Sequence, residues 1–264
     1  MSNNEATMDN TENKDIKQEK PKEKESFGEL AKTALIAIVL ALLIRSLAFE
    51  PFNIPSGSMV PTLLVGDYLF ISKYSYGYSR YSFPFGLGGF SGRIFEKSPE
   101  RGDVIVFKLP TNRSVDYIKR LVGMPGDTIQ VINGRLYIND TLVERESVGY
   151  KRYSSDGRSA VLVKEYIETL PGGRKHSIYE ETDNGPFDNT EKFSVPEGHY
   201  FMMGDNRDNS RDSRATDFVG FVPADLLLGR AERIFFSVDG SAQFFEFWKW
   251  PFVIRYDRLF DAIR

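Results

Sequence analysis

Ile129-Gln130-Val131-Ile132-Asn133-Gly134-Arg135-Leu136-Tyr137-Ile138 reads as a β-hairpin. Two β-prone runs flank Asn-Gly, the pair that accepts positive φ at both central positions of a type I′ turn. Outward from this hairpin, Tyr68-Leu69-Phe70-Ile71 and Val104-Ile105-Val106-Phe107 are short apolar runs bounded by Gly-Asp pairs. Ala160 to Ile167, Tyr200 to Met203 and Ile234 to Phe236 are further strand candidates. No long amphipathic helix separates them, which argues against a parallel sheet of βαβ units. From Gly66 onward the chain is therefore expected to be mostly β and antiparallel.

Composition narrows the chemistry. At 264 residues the chain holds one large domain or two small ones, on a prior of about 150 residues per domain. Apolar residues make up 41% and aromatics 14%, enough for a sizeable core. A net charge of −3 gives no basic balance favouring nucleic acid. Cysteine is absent, which removes disulfides, thiol nucleophiles and Cys-type zinc sites. His176 and His199 are the only histidines, so a multi-His metal site is excluded in practice and a Ser-His-Asp triad would need one of these two. No metal or other cofactor is expected.

Residues 1–27 are mostly Asn, Glu, Lys, Asp and Thr. Such a segment buries too little apolar surface to offset its ordering entropy and is expected to be a disordered tail. Leu30 to Phe49 reverses this composition, and Thr33 to Ile44 carries no charge. As a helix, about twenty residues rise ~30 Å, the thickness of a hydrocarbon core. Glu50-Pro51 should end it. A buried core helix and a cleaved signal peptide, with Ser46-Leu47-Ala48 as its site, are the competing readings. Arg45 between the apolar run and that site argues against cleavage. Lys14, Lys17, Lys20, Lys22, Lys24 and Lys32 all lie on the N-terminal side, which places the tail in the cytoplasm and the long C-terminal part outside. Ser58 is nine residues past Phe49, hence within about 32 Å of the membrane exit at ~3.6 Å per residue.

Ser58 belongs to Ile54-Pro55-Ser56-Gly57-Ser58-Met59-Val60-Pro61-Thr62-Leu63. The prolines stiffen this stretch and keep it from becoming helix or central strand. A serine on a stiff turn, beside a second hydroxyl and free backbone N–H groups, is a candidate nucleophile at an oxyanion site; an ordinary Ser/Gly/Pro surface loop is the alternative. In Tyr117-Ile118-Lys119-Arg120-Leu121-Val122 a strand would put Lys119 between apolar neighbours and turn Arg120 to the other face. Desolvation there would favour a neutral amine able to take a proton; the alternative is that both cations are solvated or salt-bridged. Gly204 to Arg214 interleaves Asp205, Asp208 and Asp212 with Arg207, Arg211 and Arg214. The order fails as a calcium loop, because Arg207 stands at a ligand position and no Gly is sixth, so internal ion pairs are expected. Two aromatic stretches remain. Tyr78 to Phe95 carries Tyr81, Phe83, Phe85, Leu87, Phe90 and Phe95, and Phe244 to Phe252 carries Phe244, Phe245, Phe247, Trp248, Trp250 and Phe252. They fit either a membrane interface or ordinary core.

Four motifs in order, Pro55-Ser56-Gly57-Ser58-Met59, Gly66-Asp67-Tyr68, Tyr117 to Asp127, and Gly204 to Arg214, resemble the bacterial type I signal peptidases. The resemblance covers most of residues 30–240. It implies a serine–lysine endopeptidase that removes signal peptides from exported preproteins after a small residue. Ser58 then resembles the family's nucleophile and Lys119 its general base. Ser210 resembles the serine that orients the lysine, and Ser56 Oγ with the Ser58 N–H resembles the oxyanion hole. Asp205 with Arg120, and Asp212 with Arg214, resemble structural ion pairs near the site. Phe52, Ile54, Leu63, Tyr117 and Ile118 lie where the family lines pockets for small side chains at −1 and −3, with substrate bound as an added strand.

The implied organisation is a tail over 1–27 and a single anchor over 28–49, then an antiparallel catalytic core over 50–130 and 198–243. A smaller β region is inserted at 131–197, and an aromatic segment follows at 244–264. Preproteins and membrane lipid are the expected partners, with no nucleic acid, at a bacterial cytoplasmic membrane. A self-cleaving serine–lysine protease and a non-catalytic anchored β module that binds extended peptides are the other functions considered.

Overall fold

The structure, a computed structural model, describes residues 27–83, 89–154, 160–241, 246 and 248–264. The tail and Phe85, Leu87, Phe244, Phe245 and Phe247 of the aromatic stretches lie outside the described residues. Two compact units divide the chain, residues 1–39 and 40–264.

Helix α1 (Phe27–Leu47) runs through the boundary between them. It is apolar on every face, with Leu35, Ile38 and Leu40 all exposed, and it is the one described helix long and apolar enough to cross a membrane. It starts three residues before the expected Leu30 and stops at Leu47, two before the expected Phe49. The early stop has a local cause. Phe49 is already extended and paired with Ser72, the Lys73 N–H donates to Ala48 O, and the Arg45 guanidinium reaches Glu50. Sheet pairing takes the chain before Pro51 acts as a stop.

The second unit is built from short antiparallel strands. First come β1 (Phe49–Asn53), β2 (Asp67–Ser72), β3 (Tyr78–Ser79), β4 (Arg93–Ile94), β5 (Val104–Leu109) and β6 (Asn112–Gly123). Then follow β7 (Thr128–Ile132), β8 (Arg135–Ile138), β9 (Thr141–Leu142), β10 (Glu144–Tyr153), β11 (Val161–Thr169), β12 (Lys175–Glu180) and β13 (Phe193–Ser194). The series ends with β14 (His199–Met203), β15 (Val222–Pro223) and β16 (Leu227–Ser237), before a short helix α2 (Trp250–Val253). The expected mostly-β, antiparallel fold is what is observed.

A seven-stranded sheet in the order β1-β2-β16-β5-β6-β14-β15 forms the body. Strands β7 to β13, which fall between β6 and β14 in sequence, make two smaller sheets, β13-β7-β8-β9 and β10-β11-β12. The Asn-Gly hairpin is β7–β8, with φ of 48° at Asn133 and 68° at Gly134, the left-handed pair its turn requires. Alternation sets the core: in β2, Leu69 and Ile71 are buried while Tyr68 and Phe70 face out. One cluster joins Ile54, Met59, Leu63, Leu69, Ile71, Val106, Ile118 and Ile234 beneath the β1–β2 connection.

Among the described residues, two of the strand edges without a strand partner lie on β6 and β1. Strand β14 pairs with β6 only from Arg120 to Gly123, so Asp116–Lys119 is paired with β5 on one edge and open on the other. Strand β1 pairs only with β2.

Candidate active site

Ser58 sits mid-way in a single 3-10 turn, Gly57–Met59, within the β1–β2 connection. Buried Met59 and Leu63 root this turn in the core cluster, while extended Ser56 at its start (φ −132°, ψ 155°) is exposed. The turn is gripped from across the fold. Buried Asn206 donates its backbone N–H to Ser58 O (3.1 Å) and its Nδ2 to Gly57 O (3.0 Å). Gly204 packs so closely that a Cβ there would stand 2.2 Å from Ser210 Oγ and 2.5 Å from Ser58 O.

Lys119, on β6, is 3% exposed, and its Nζ lies 2.6 Å from Ser58 Oγ and 2.9 Å from Ile118 O. The Tyr117 ring, on the same strand face, stands 5.0 Å from the amine. No carboxylate lies within ion-pair distance of Nζ among the described residues. Burial therefore dominates and lowers the pKa to about 8, against the opposing fields of Asp212 and Asp205.

Arg120, fully buried, is turned the other way and forks onto Asp205 at 2.8 and 2.7 Å, donating also to Gly102 O. Thr62 Oγ1 donates to the same carboxylate. Asp212 holds Arg214 at 2.9 Å and accepts the Gly204 N–H. Burial penalises both carboxylates, yet the adjoining guanidiniums, Arg120 and Arg214, hold each below the ordinary range. Ser210 Oγ is buried beside Asp212 with no partner in hydrogen-bond geometry, and it makes no hydrogen bond to Lys119.

One cleft of about 590 Å³ is lined by Phe52, Ser56, Ser58, Tyr117, Ile118, Lys119 and Ser210 of the residues expected at the site, while Arg120, Asp205, Asp212 and Arg214 do not line it. Ile54 and Leu63 do not line it; at 2% and 0% exposed they lie in the core cluster that also holds Ile118 and against which Phe52 packs. Pro55, Val115, Asp116, Phe187, Asp208, Asn209 and Arg211 also line the cleft. Pro55, Asp208, Asn209 and Arg211 lie within the motifs and Val115 and Asp116 directly precede one, but nothing in the sequence pointed to Phe187.

A signal peptidase, peptidase S26, family model matches residues 27–236. The chain belongs to that family. Signal peptidase I of Rickettsia conorii is 47% identical over 222 residues, 81% of this chain and 80% of that protein. Signal peptidase I of Rickettsia typhi is 45% identical over 238 residues, 87% and 84% of the two chains. A solved signal peptidase I structure from Enterococcus faecalis V583 is 29% identical, with a TM-score of 0.29, covering 51% of this chain and 97% of that one. Membership of peptidase S26 makes this chain a serine peptidase, and its N-terminal apolar helix fits a membrane-anchored protein.

The internal ion pairs expected in 204–214 are only partly internal. Asp212–Arg214 is local, but Asp205 reaches Arg120 and Arg207 forks onto Glu168 of β11. Asp208 instead accepts the N–H groups of Glu181 and Thr182. The reason is the fold: β12 runs beside this loop, with Tyr179 and residues 205–207 exchanging backbone hydrogen bonds. His176 is buried 3.4 Å from Glu168, and burial lowers its pKa; His199 is half-buried near Glu197 O. Neither histidine lines the cleft.

Proposed function

We propose that this peptidase S26 member cleaves signal peptides from exported preproteins with Ser58 as nucleophile and Lys119 as general base. The carrying observation is the 2.6 Å approach of a buried amine, with no carboxylate of the described residues at ion-pair distance, to a serine hydroxyl. Neutral Lys119 takes the Ser58 proton as Oγ attacks the carbonyl after a small residue. Ser56 Oγ and the Ser58 N–H stabilise the oxyanion. The C–N bond then breaks, the leaving amine takes the proton from Lys119, and an ester to Ser58 forms. Water, deprotonated by Lys119, hydrolyses it. Ser210, which lines the same cleft, is the serine proposed to orient the lysine.

Substrate fits between the open edges of β1 and of Asp116–Lys119 in β6, as an added strand. Its −1 and −3 side chains point to the floor formed by Phe52, Tyr117 and Ile118 over Ile54 and Leu63. Residues 131–197 are an insertion into the catalytic core, supported by the placement of β7–β13 in sheets of their own between β6 and β14. The tail is cytoplasmic, α1 spans the bacterial inner membrane, and the catalytic part faces outward; the lysine-rich N-terminal side supports this. Exposed Phe49, Phe70 and Tyr74 support lipid contact by this part as well.

Incubating one preprotein in detergent with wild type and with Ser58→Ala tests the reading. Wild type should release mature protein in trans and Ser58→Ala should not, with both folded. Cleavage by Ser58→Ala overturns it. Binding without turnover by wild type would indicate a peptide-binding module, and cleavage only of its own chain a self-cleaving protease.

A further inference from the structure

Among the described residues between β6 and β14, Phe187 alone lines the cleft. It is half-buried, in the loop that follows β12, and that loop is pinned on two sides. Asp208 Oδ2 accepts the N–H groups of Glu181 (2.7 Å) and Thr182 (3.2 Å). Gly185 packs so close to the same carboxylate that a Cβ would lie 2.5 Å from Asp208 Oδ1. On the other side, the Gly134 N–H of the β7–β8 turn donates to Asp188 O (3.0 Å), and the Asn133 N–H donates to Asn189 Oδ1 (2.9 Å). The Arg214 guanidinium, itself fixed by Asp212, stands 5.3 Å from the Phe187 ring centroid. An aromatic ring held this firmly at the edge of the cleft has no role in the core, since it belongs to none of the buried clusters.

Alternation along an extended substrate decides what the ring meets. Side chains at −1 and −3 share a face, and those at −2 and +1 share the other. The floor that takes −1 and −3 is continuous with the cluster holding Ile54, Leu63 and Ile118, and Phe187 is not packed on that cluster. We propose that Phe187 is a specificity-determining residue that contacts the substrate side chains at −2 and +1, favouring large apolar groups there. This rests on the reading of the cleft as the cleavage site. It gives the inserted region a task in substrate choice, separate from the Ser58–Lys119 chemistry.

The test is cleavage of preprotein-derived peptides, varied singly from −3 to +2, by the full chain in detergent. Wild type is compared with Phe187→Ala and with Phe187→Tyr. Phe187→Ala should lose about tenfold in kcat/KM, through KM, for peptides with a large apolar residue at −2 or +1. The requirement for a small residue at −1 and −3 should not move, and Phe187→Tyr should keep the wild-type profile. Superimposable profiles for all three, or a change confined to −1 and −3, overturn the proposal. If Phe187→Ala does not fold, Phe187→Leu carries the same comparison. Failure of the underlying reading looks different: wild type then cleaves no peptide at all.

Discussion

Lys119 meets two opposed demands. The base proposed here must be neutral, and burial favours that by lowering the amine's pKa from 10.5 to about 8. The same burial destabilises the folded protein wherever the amine is charged. Because the folded pKa of this base is depressed, the unfolded chain binds more protons between about pH 8 and 10.5, and stability rises with pH across that window. Below pH 8 the whole penalty is present, about 3 kcal/mol from the size of the shift. Lys119→Met should therefore abolish cleavage yet raise Tm at pH 7, with the gain shrinking by pH 10; thermal melts at the two pH values check it, and a lower Tm at pH 7 contradicts it. In the active protein kcat/KM should fall about tenfold per pH unit below 8, as the proportion of neutral amine falls. A rate flat down to pH 5 would rule out an amine base. Gly204 is the other residue with no tolerance. A methyl there meets Ser210 Oγ and Ser58 O, and the turn must shift. Gly204→Ala should cost at least about a hundredfold in kcat, since small misplacements of reacting groups have effects of this size; cleavage within threefold of wild type would contradict this.

At the scale of elements, the 204–214 loop ties the Ser58 turn to the sheet of β10–β12. Its Asn206 holds the Ser58 turn, its backbone pairs with β12 at Tyr179, and its Arg207 forks onto Glu168 of β11. Burial opposes ionisation of Glu168, but Arg207 and His176 outweigh it and keep the carboxyl well below its ordinary range. A depressed carboxylate contributes stability above its unfolded pKa and loses it as pH falls through the folded value. Acid should therefore weaken this junction progressively below about pH 4. Removing one partner is worse than removing both. Arg207→Met strands a buried carboxylate and should cost about 3–5 kcal/mol, whereas Arg207→Met with Glu168→Leu should recover much of the loss. Denaturant midpoints of the single and double variants measure this, and equal losses would contradict it. The strands of this region were the hardest to see. Strand β10 is half charged, β12 is only six residues long, and neither has an apolar run; each is a strand because its neighbours pair with it.

For the whole molecule, the second unit closes around a seven-stranded sheet whose β6 and β14 are adjacent although β7–β13 separate them in sequence. The proposed orientation makes a direct prediction. Protease added to intact spheroplasts should digest the part beyond α1 and leave the N-terminal tail protected. Protection of both, or digestion of the tail, would contradict it.

Local chemistry made the helix, the strands and the turn legible from sequence. An uncharged run is long enough for a bilayer, short apolar runs start after Gly-Asp, and Asn-Gly turns a hairpin, each within a short window. The Ser58 stretch was legible in the same way, since Pro55 and Pro61 stiffen it wherever it lies. Tertiary structure decided what no window contains. It set Lys119 beside Ser58, sent Arg207 to Glu168 rather than to a neighbour, put Ile54 and Leu63 below the cleft, and brought Phe187 to its rim. Those outcomes depend on register and sheet order, which are settled by burial and pairing between residues far apart along the chain.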